Sequence, residues 1–591
     1  MSDYLFTSTR QPTGKLSRLI KDIYLDSAPA CTEFHGEWGS LAVSTSHYQG
    51  FMPFENEQHI CIVLGAPILY FHDNKFLTEP DSNQATQAIY HRWMQRLINW
   101  VDDLSGPFTI LLIDKINHNI SIVTDLMSFI PVYSYLNKTA LALGTHIDAL
   151  AKATDAANQI DLISLADFIV NDVITFPYTA YKKLRQEAPG SIITFTDNYK
   201  KTINTYWQPT EQTAFSNLSK AAEALRCGIK KYIDTATTHM STIAQFISAG
   251  EDSRALSGLL PQDKPRDAYI FLDHMNREGR IAQKVANAYD ANFMVGYRDS
   301  LHYLHIMPEA STLVGLGHQY THAHSLGFDK KFSLTRYDAV FGGYLSDSLL
   351  KGVYVPKLRG YEKFPFLPDI VANRKPITQS SGRINQYLNP DLKQAIIQRR
   401  ETHYNRIKKI RPTSVNEWFV LYPASMRIAI PNFYSTRRLF KSYEPFLSHE
   451  VVKVAASVPT SWKLNRRLFH KAMKPFLKKS QWILHADGRL PYYPCWLNSP
   501  LQASIWTSRQ INKRIFKKRK NEGPWGDWNT VLSSNEWQAQ LNKLANNNLI
   551  AEIFTNTSDY INLVNKNIML NSQKINLAQC LWQLAYSKNN I

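Results

Sequence analysis

One short segment combines small residues, hydroxyls and carboxylates in an order that suits phosphate chemistry. Residues 246–254 read FISAGEDSR. An apolar strand is predicted to enter this segment and a helix to leave it, so that backbone amides and the positive end of the helix face an anion. Ser248 and Ser253 can donate hydrogen bonds to phosphate, and Asp252 can hold Mg²⁺ beside it. The lysine of the GxxxxGK[ST] loop is absent, and a capped helix after a tight turn is the alternative explanation.

The elements that must position this loop alternate in type. Apolar runs TIAQFI, DAYIFLD and ANFMVGY alternate with predicted helices over 214–238, 254–260 and 278–289. Such alternation predicts an α/β domain with a doubly wound parallel sheet. Beyond residue 375 the pattern is chiefly helical, and it includes a basic helix over 391–410.

The first 205 residues have a different texture, because short apolar or alternating runs predominate. GSLAVSTSHY, HICIVLGAPILYF, FTILLIDK and NISIVTDL predict strands. Helices are predicted over 84–104 and 162–173, and a hairpin with its turn at Asp197-Asn198 precedes residue 208. We therefore place one α+β domain over residues 1–210 and a second domain over 211–591.

Composition and length exclude some classes of protein. The chain has 591 residues, of which 44% are hydrophobic and 20% charged, as is ordinary for a globular protein. No apolar run reaches the ~18 residues that a membrane span needs. The amino terminus has no apolar core of the signal-peptide type, and the five cysteines are scattered. We expect no membrane span, no disulfide framework and a cytoplasmic location.

Charge is unevenly distributed along the chain. Residues 1–210 hold 15 Lys and Arg against 21 Asp and Glu, and the remainder holds 52 against 28. This asymmetry indicates that the second half binds an anion, such as a nucleic acid, a nucleotide triphosphate, an acidic peptide or an acidic sugar, or that its surface is simply basic. Residues 509–520 hold seven basic residues but only Phe516 as an aromatic. We expect no nucleic acid there, and an acidic partner or a solvated helix instead.

Four motifs in the second half, in the same order, resemble the asparagine synthetase family. SAGEDS is similar to the SGGxDS pyrophosphate loop, at which that family cleaves ATP between its α and β phosphates. Residues 340–352 are similar to GEGADELFGG and keep Gly343, Asp347 and Gly352. Residues 437–459 are similar to the RxPFLDHxLV…LP stretch, and 468–472 stand where the family has its LReA helix.

The first half resembles the glutaminase domain of the same family. Residues 104–108 are similar to LxGxFaf, residues 124–133 to RDxxGxxPLYY, and Tyr206-Trp207 to the YW that ends that domain. The resemblance implies an Ntn-hydrolase-like β-sandwich, a degenerate glutaminase domain, over 1–210. It implies an ATP-pyrophosphatase domain with a helical C-terminal part over 211–591.

The chain departs from the family pattern at the reacting groups. Ser2 stands where the glutaminase has its nucleophilic cysteine, and Leu64-Gly65 replaces the Asn-Gly that stabilises the oxyanion. We expect no glutaminase activity. Tyr344 and Ser348 replace the two glutamates of GEGADE. The β-lactam synthetases and lasso-peptide cyclases likewise lack the cysteine and use an internal amine.

The resemblance implies an ATP-dependent amide-forming ligase with ATP and Mg²⁺ as cofactors. The implied roles are nucleotide binding by Ser248, Ala249, Gly250, Asp252, Ser253 and Gly343, metal binding by Asp252 and Asp347, proton transfer by Tyr344, and phosphate clamping by Arg489. The carboxylate substrate is a small molecule or a peptide, and the donor is an amine or ammonia. A macrolactam cyclase, an asparagine or sugar-acid amide synthetase using ammonia, and a non-catalytic nucleotide-binding relative remain open.

Three histidines lie close together in GLGHQYTHAHSL. His318, His322 and His324 could ligate a metal, since His322 and His324 have the i, i+2 spacing of a strand pair. We favour the alternative, in which they line a pocket or a loop.

Overall fold

The structure, a computed structural model, describes residues 2–25, 28–358, 364, 366–372, 382–515, 521–544, 549–555, 563–564 and 568–589. Within these residues the first half of the chain forms two six-stranded antiparallel sheets and a two-stranded one. Their strands are β1 (Tyr4–Thr7), β2 (Cys31–Gly36), β3 (Gly39–Ser44), β4 (Phe54–Glu55), β5 (His59–Gly65), β6 (Ile68–Leu69), β7 (Leu104–Ser105), β8 (Phe108–Asp114), β9 (Ile120–Thr124), β10 (Tyr133–Leu136), β11 (Leu141–Gly144), β12 (Leu184–Gln186), β13 (Ser191–Phe195) and β14 (Lys201–Thr205).

The described second half contains a five-stranded parallel sheet. Its strands are β15 (Ile243–Phe246), β16 (Arg266–Leu272), β17 (Asn292–Tyr297), β18 (Ala339–Phe341) and β19 (Ser442–Tyr443). The strand order is β17-β16-β15-β18-β19, and every pairing is parallel. The connections therefore run in opposite directions from β15, which places a topological switch point between β15 and β18.

Both halves of the described chain contain α-helices. They are α1 (Lys15–Lys21), α2 (Gln84–Met94), α3 (Ile147–Ala153), α4 (Leu162–Asn171), α5 (Leu218–Thr237), α6 (Glu251–Leu259), α7 (Arg277–Ala288), α8 (His302–His305), α9 (Met307–Val314), α10 (Phe328–Lys331), α11 (Ser346–Leu350), α12 (Pro390–Ile410), α13 (Val415–Leu421), α14 (Pro431–Leu439), α15 (His449–Ala456), α16 (Thr460–Lys463), α17 (Arg467–Met473), α18 (Cys495–Ile515), α19 (Trp528–Leu532), α20 (Asn535–Leu544), α21 (Leu549–Ile553) and α22 (Asn571–Asn589). Short 3₁₀ turns occupy Lys75–Thr78, Tyr320–His322, Leu334–Arg336, Arg383–Gln386, Ala424–Met426, Pro445–Leu447, Leu464–Arg466 and Lys474–Ser480.

The two large antiparallel sheets face each other through alternate side chains of their strands. Tyr4 and Phe6 of β1 share a core cluster with Ile60 of β5. Leu5 points the other way, into a second cluster that includes Leu16 of α1. This is the two-residue period of a strand. The predicted β-sandwich is confirmed, and the parallel sheet fits the predicted α/β second half.

The two halves are not separated by solvent. The cluster that holds Tyr4 and Ile60 continues into Leu225 of α5 and Phe446 in the second half. The domain limit at residue 210 therefore stays a prediction. Among the described residues, no helix has the length and apolar character required to cross a membrane.

Three predicted helix limits were wrong for local reasons. The helix predicted over 84–104 ends at Met94, because Arg96 has a φ of 59°, which an α-helix cannot accommodate. The helix predicted from residue 214 begins at Leu218, because the Asn217 side chain caps it by accepting from the Ser219 and Lys220 amides. The helix predicted from residue 254 begins earlier, at Glu251, directly after Gly250.

Candidate active site

The segment 247–250 joins the central strand β15 to helix α6 in a tight turn. Ser248 Oγ lies 3.0 Å from Ser253 Oγ and accepts a hydrogen bond from the Gly250 amide at 3.0 Å. The Ala249 amide donates to Glu278 Oε1 at 2.7 Å. The residue before α6 is Gly250, which has no side chain to cap the first-turn amides. Those amides therefore remain donors for an anion at the positive end of the helix.

A buried lysine joins carboxylates from both sides of the switch point. Asp252 lies in the first turn of α6, and Asp347 lies in α11, which follows β18. Lys351 Nζ lies 2.5 Å from Asp252 Oδ1, 2.5 Å from Asp347 Oδ1 and 3.1 Å from Glu251 Oε1. The Lys351 side chain is 4% exposed, whereas that of Asp347 is 58% exposed. One cation therefore joins the two aspartates in the crevice between β15 and β18.

Burial and charge act in opposite directions in this cluster. Burial, with the negative charge of Asp347, raises the pKa of Asp252 to about 7. Burial would also raise the pKa of Asp347, but the charge of Lys351 holds it below its ordinary value. Burial would lower the pKa of Lys351, but the three carboxylates raise it, so that Lys351 stays charged.

Glu251 is surrounded by cations beside the same loop. Its carboxylate contacts Arg466 Nε at 2.6 Å and Arg489 Nη1 at 3.2 Å, in addition to Lys351. Burial would raise the pKa of Glu251, but these three positive charges hold it well below its ordinary value. Arg489 also contacts Asp487 at 2.8 Å. The predicted phosphate clamp thus lies beside the loop, but its present partners are carboxylates.

A second buried carboxyl group lies behind the glycine pair that follows β18. Glu444 Oε2 accepts a hydrogen bond from the Tyr344 amide at 2.9 Å, and burial raises the pKa of Glu444 to about 8. A Cβ on Gly342 would lie 2.2 Å from Glu444 Oε1, and a Cβ on Gly343 would lie 3.3 Å from Asp252 Cβ. The two glycines therefore let β18 and its loop approach both acids. Burial also raises the pKa of the Tyr344 hydroxyl, so that this group stays protonated.

A pocket of about 960 Å³ opens next to Glu251 and Arg489. We call it the basic pocket, because cationic side chains predominate among its charged groups. Its lining includes the cations Lys357, Arg466, Arg467, Lys471 and Lys474 and the aromatic residues Tyr493 and Trp496.

The predicted metal ligands have the right chemistry but already share a counter-ion. Asp252 and Asp347 offer carboxylate oxygens, which Mg²⁺ prefers. They fit Mg²⁺ only if Lys351 Nζ withdraws, since it lies 2.5 Å from both. Among the residues that the structure describes, no group of three or more His, Cys, Asp and Glu side chains could hold a metal ion.

The three histidines have different polar and aromatic partners, although the ring centroids of His322 and His324 lie 5.5 Å apart. His318 lines a small pocket with Tyr133, His322 Nε2 contacts Gln319 Oε1 at 3.1 Å, and the ring centroid of His324 lies 4.3 Å from that of Trp525. Burial lowers the pKa of His318 and of His322 to about 4. They are neutral side chains within the protein. The basic tract 509–520 lies partly outside the described residues, since residues 516–520 are not included and α18 ends at Ile515.

The start of β1 is tied to the second half by buried charges. Asp3 Oδ1 contacts Arg438 Nη2 at 2.7 Å and Arg437 Nη2 at 3.2 Å, and all three side chains are at most 2% exposed. The Ser2 carbonyl accepts a hydrogen bond from Arg437. Leu64, which replaces the oxyanion asparagine of the resembled family, is fully buried.

The sequence predicted the loop, Asp347 and Arg489, but it did not predict Lys351, Glu444 or the partners of Glu251. Lys351 had a signal in the i, i+4 spacing from Asp347, which favours an ion pair on one helix face. Glu444 directly follows β19 and so lies at the carboxyl edge of the parallel sheet, where such folds bind ligands. The partners of Glu251 come from residues 351, 466 and 489, and no local spacing indicates them.

Comparison with known proteins finds one known domain type in the first half. Residues 50–207 match a family described as a glutamine amidotransferase domain. No curated protein matches the chain. Two solved structures show slight likeness. The structure of "the allosteric regulatory enzyme of purine biosynthesis" has a TM-score of 0.25 and 6% identity, over 50% of this chain and 80% of that one.

The second is glutamine phosphoribosylpyrophosphate amidotransferase from B. subtilis, complexed with ADP and GMP. It has a TM-score of 0.24 and 8% identity, over 51% of this chain and 82% of that one. The family match is the finding that carries weight: the first half contains a glutamine amidotransferase-like domain.

Proposed function

We propose that the chain is an ATP-dependent carbon–nitrogen ligase of the asparagine synthetase type, which adenylates a substrate carboxylate and transfers it to an amine. The observation that carries this proposal is the crevice between β15 and β18. There the SAGEDS loop, with first-turn amides of α6 that no side chain caps, faces Asp347 across Lys351. The glutamine amidotransferase-like first half supports an enzyme of amide nitrogen chemistry.

The proposed reaction has two steps. A carboxylate oxygen of the substrate attacks the α-phosphorus of ATP, the bond to the pyrophosphate oxygen breaks, and an acyl-adenylate forms. An amine nitrogen then attacks the acyl carbon, loses a proton, and AMP leaves with the bonding electrons. Ser248, Ser253 and the α6 amides would orient the phosphates, and the buried cations would offset their charge. Asp252 and Asp347 would hold Mg²⁺, which when bound would neutralise charge on pyrophosphate.

Glu444 is the better candidate for accepting the proton of the amine. Its carboxyl lies against Gly342 beside the site, and its pKa of about 8 means that the ionised fraction, which can accept a proton, is small at pH 7 and grows as the pH rises towards 8. The Tyr344 hydroxyl, proposed from sequence, has a pKa above its ordinary value and so favours donating a hydrogen bond. We therefore assign Tyr344 to orienting the reacting group and Glu444 to removing the proton.

The amine source is proposed to lie outside this chain's first half. Ser2 and Asp3 are buried against Arg437 and Arg438, and Leu64 occupies the position of the oxyanion donor. An amine of the substrate, as in a macrolactam cyclase, or free ammonia would then be the donor.

Carboxylate-dependent exchange of labelled pyrophosphate into ATP tests the proposal. The wild-type protein is expected to catalyse exchange with at least one acid of a panel of amino acids, sugar acids and peptides. Asp252→Asn should slow it by about 10²-fold or more, because a carboxylate that would hold the charge-neutralising Mg²⁺ is lost. The same preparation should release no glutamate from glutamine.

The matched control is Asp234→Asn, which removes a surface carboxylate that pairs with Lys230 at 2.8 Å on α5. This variant should exchange pyrophosphate at the wild-type rate. Formation of ADP and orthophosphate, or equal exchange in wild type and Asp252→Asn, would refute the proposal.

A further inference from the structure

The basic pocket contains a row of cations without acidic partners. Arg467, Lys471 and Lys474 follow each other at i, i+4 and i+7, so they share one face of α17 and the turn after it. All three side chains are exposed. Like charges at this spacing destabilise a helix. An anionic ligand that lies against such a row would offset the repulsion between its positive charges.

The acids of the pocket are already paired with other cations. Glu251 contacts Lys351, Arg466 and Arg489. Asp369 contacts Lys357 at 3.0 Å, and Asp487 contacts Arg489. Within the described residues no carboxylate forms an ion pair with Arg467, Lys471 or Lys474; Lys471 donates to the Ser219 hydroxyl at 2.7 Å, and Lys474 lies 5.1 Å from the Tyr492 ring centroid. The excess positive charge is therefore available to a ligand.

Aromatic and apolar side chains also line the pocket. Trp496 is 72% exposed, and the neighbouring Trp482 is 71% exposed with its ring centroid 5.3 Å from that of Tyr493. Leu367, Pro491 and Pro494 also line the pocket. Large exposed aromatic side chains beside a pocket are typical of recognition surfaces. Apolar side chains here indicate a ligand that has apolar groups of its own, as a peptide has and a polyphosphate or sugar acid lacks.

The volume favours a ligand larger than a single amino acid. About 960 Å³ lies at the upper end of the ~300–1,000 Å³ of ligand pockets. A single amino acid would leave most of it empty. The pocket begins at Glu251, next to Asp252 of the phosphate loop, so a ligand can extend from the reacting crevice into it.

We propose that the basic pocket binds an acidic peptide, as part of the carboxylate substrate. Carboxylates of the peptide lie against Arg467, Lys471 and Lys474, and its apolar side chains lie against Tyr493 and Trp496. This proposal deepens the proposed function and rests on it for the role of the peptide as substrate. Binding itself requires neither ATP nor turnover.

Fluorescence anisotropy of a labelled eight-residue peptide with alternating Glu and Leu tests the binding. The double variant Arg467→Glu/Lys474→Glu should bind it about tenfold more weakly or worse, since two attractive contacts become repulsive. The matched control Lys408→Glu/Lys409→Glu reverses two exposed charges on α12, remote in sequence, and should bind it as the wild type does. Trp496→Ala should weaken binding of the Glu-Leu peptide more than that of polyglutamate.

Two results would overturn the proposal. One is equal affinity of the wild type and the Arg467→Glu/Lys474→Glu variant for the peptide. The other is an oligonucleotide of equal charge that binds as tightly and loses as much affinity in that variant, which would indicate a general polyanion surface. Pyrophosphate exchange is measured separately, so peptide binding without exchange would refute the ligase function and leave the binding site standing.

Discussion

At the scale of single residues, Lys351 decides the state of the candidate active site. It is buried, it stays charged, and it lies 2.5 Å from each of two aspartates. Two carboxylates that both contact one cation lie near each other, and they repel each other when that cation is absent. Lys351 therefore acts as an internal counter-ion, and a divalent cation must displace it to bind both acids.

We expect Lys351→Met to bind Mn²⁺ about tenfold more tightly than the wild type without nucleotide, because both carboxylates lose their counter-ion. The signal of free Mn²⁺ in electron paramagnetic resonance measures the affinity. Lys230→Met, which removes a surface lysine paired with Asp234, is the control and should leave Mn²⁺ binding unchanged. Indistinguishable Mn²⁺ titrations of wild type and Lys351→Met would contradict the counter-ion role.

At the scale of elements, the short edge strand β19 brings a buried acid to the site. Its two residues pair with β18. Glu444 is the next residue in the chain, and its carboxyl group lies against Gly342. Because its pKa is raised by burial to about 8, Glu444 is largely protonated in the folded protein at neutral pH. An unfolded chain ionises the same group near its ordinary value.

This difference gives the folding stability a definite pH dependence. Between about pH 4.5 and pH 8 the folded chain keeps a proton that the unfolded chain has lost. The contribution of Glu444 to stability is therefore complete at low pH and falls as the pH rises through this interval. Glu444→Gln, which mimics the protonated form, should gain about 2–4 kcal/mol relative to wild type between pH 5 and pH 8.

Urea unfolding at both pH values measures the effect. Glu552→Gln, an exposed substitution on α21, is the control and should show no such gain. A constant difference between Glu444→Gln and wild type across the interval would mean that Glu444 ionises normally in the folded state.

The elements that sequence could predict are those with a local pattern. The loop 246–254 and the alternation of strands and helices around it depend on residues that are neighbours in the chain, so their types reveal them. The site around the loop depends on tertiary contacts. Glu444 lies nearly two hundred residues after Asp252, and Arg489 comes from a segment without regular structure. No period of 2 or 3.6 residues carries that information. The turn at Arg96 was missed because a left-handed φ has no signature in an arginine.

At the scale of the whole molecule, the two halves depend on each other for burial of charge. Asp3 of the first half and Arg437 and Arg438 of the second are all buried in one contact. Burial would raise the pKa of Asp3, but the two arginines hold it below its ordinary value. Its contribution to stability is therefore present above the ordinary carboxyl pKa and is lost as the pH falls below it.

Asp3→Ala should lower the free energy of unfolding by about 3–5 kcal/mol, because two guanidinium groups stay buried without their carboxylate. Circular dichroism in urea and limited proteolysis of both halves measure the change. Asp22→Ala removes a half-exposed carboxylate 3.8 Å from Lys152 and should change little. Destabilisation confined to the first half would show that Asp3 does not couple the halves.

The contact between Asp3 and Arg437 spans 434 positions of the chain, which gives protein synthesis a part in its formation. A ribosome makes the first half long before it reaches α14, so β1 emerges with a carboxylate that has no guanidinium partner. The parallel sheet is likewise incomplete until β19 is made, since that strand is its edge. Both the ion pairs of Asp3 and the edge strand of the parallel sheet therefore depend on residues near position 440. Until these residues are made, the nascent chain has neither the guanidinium partners of Asp3 nor the edge strand of the parallel sheet.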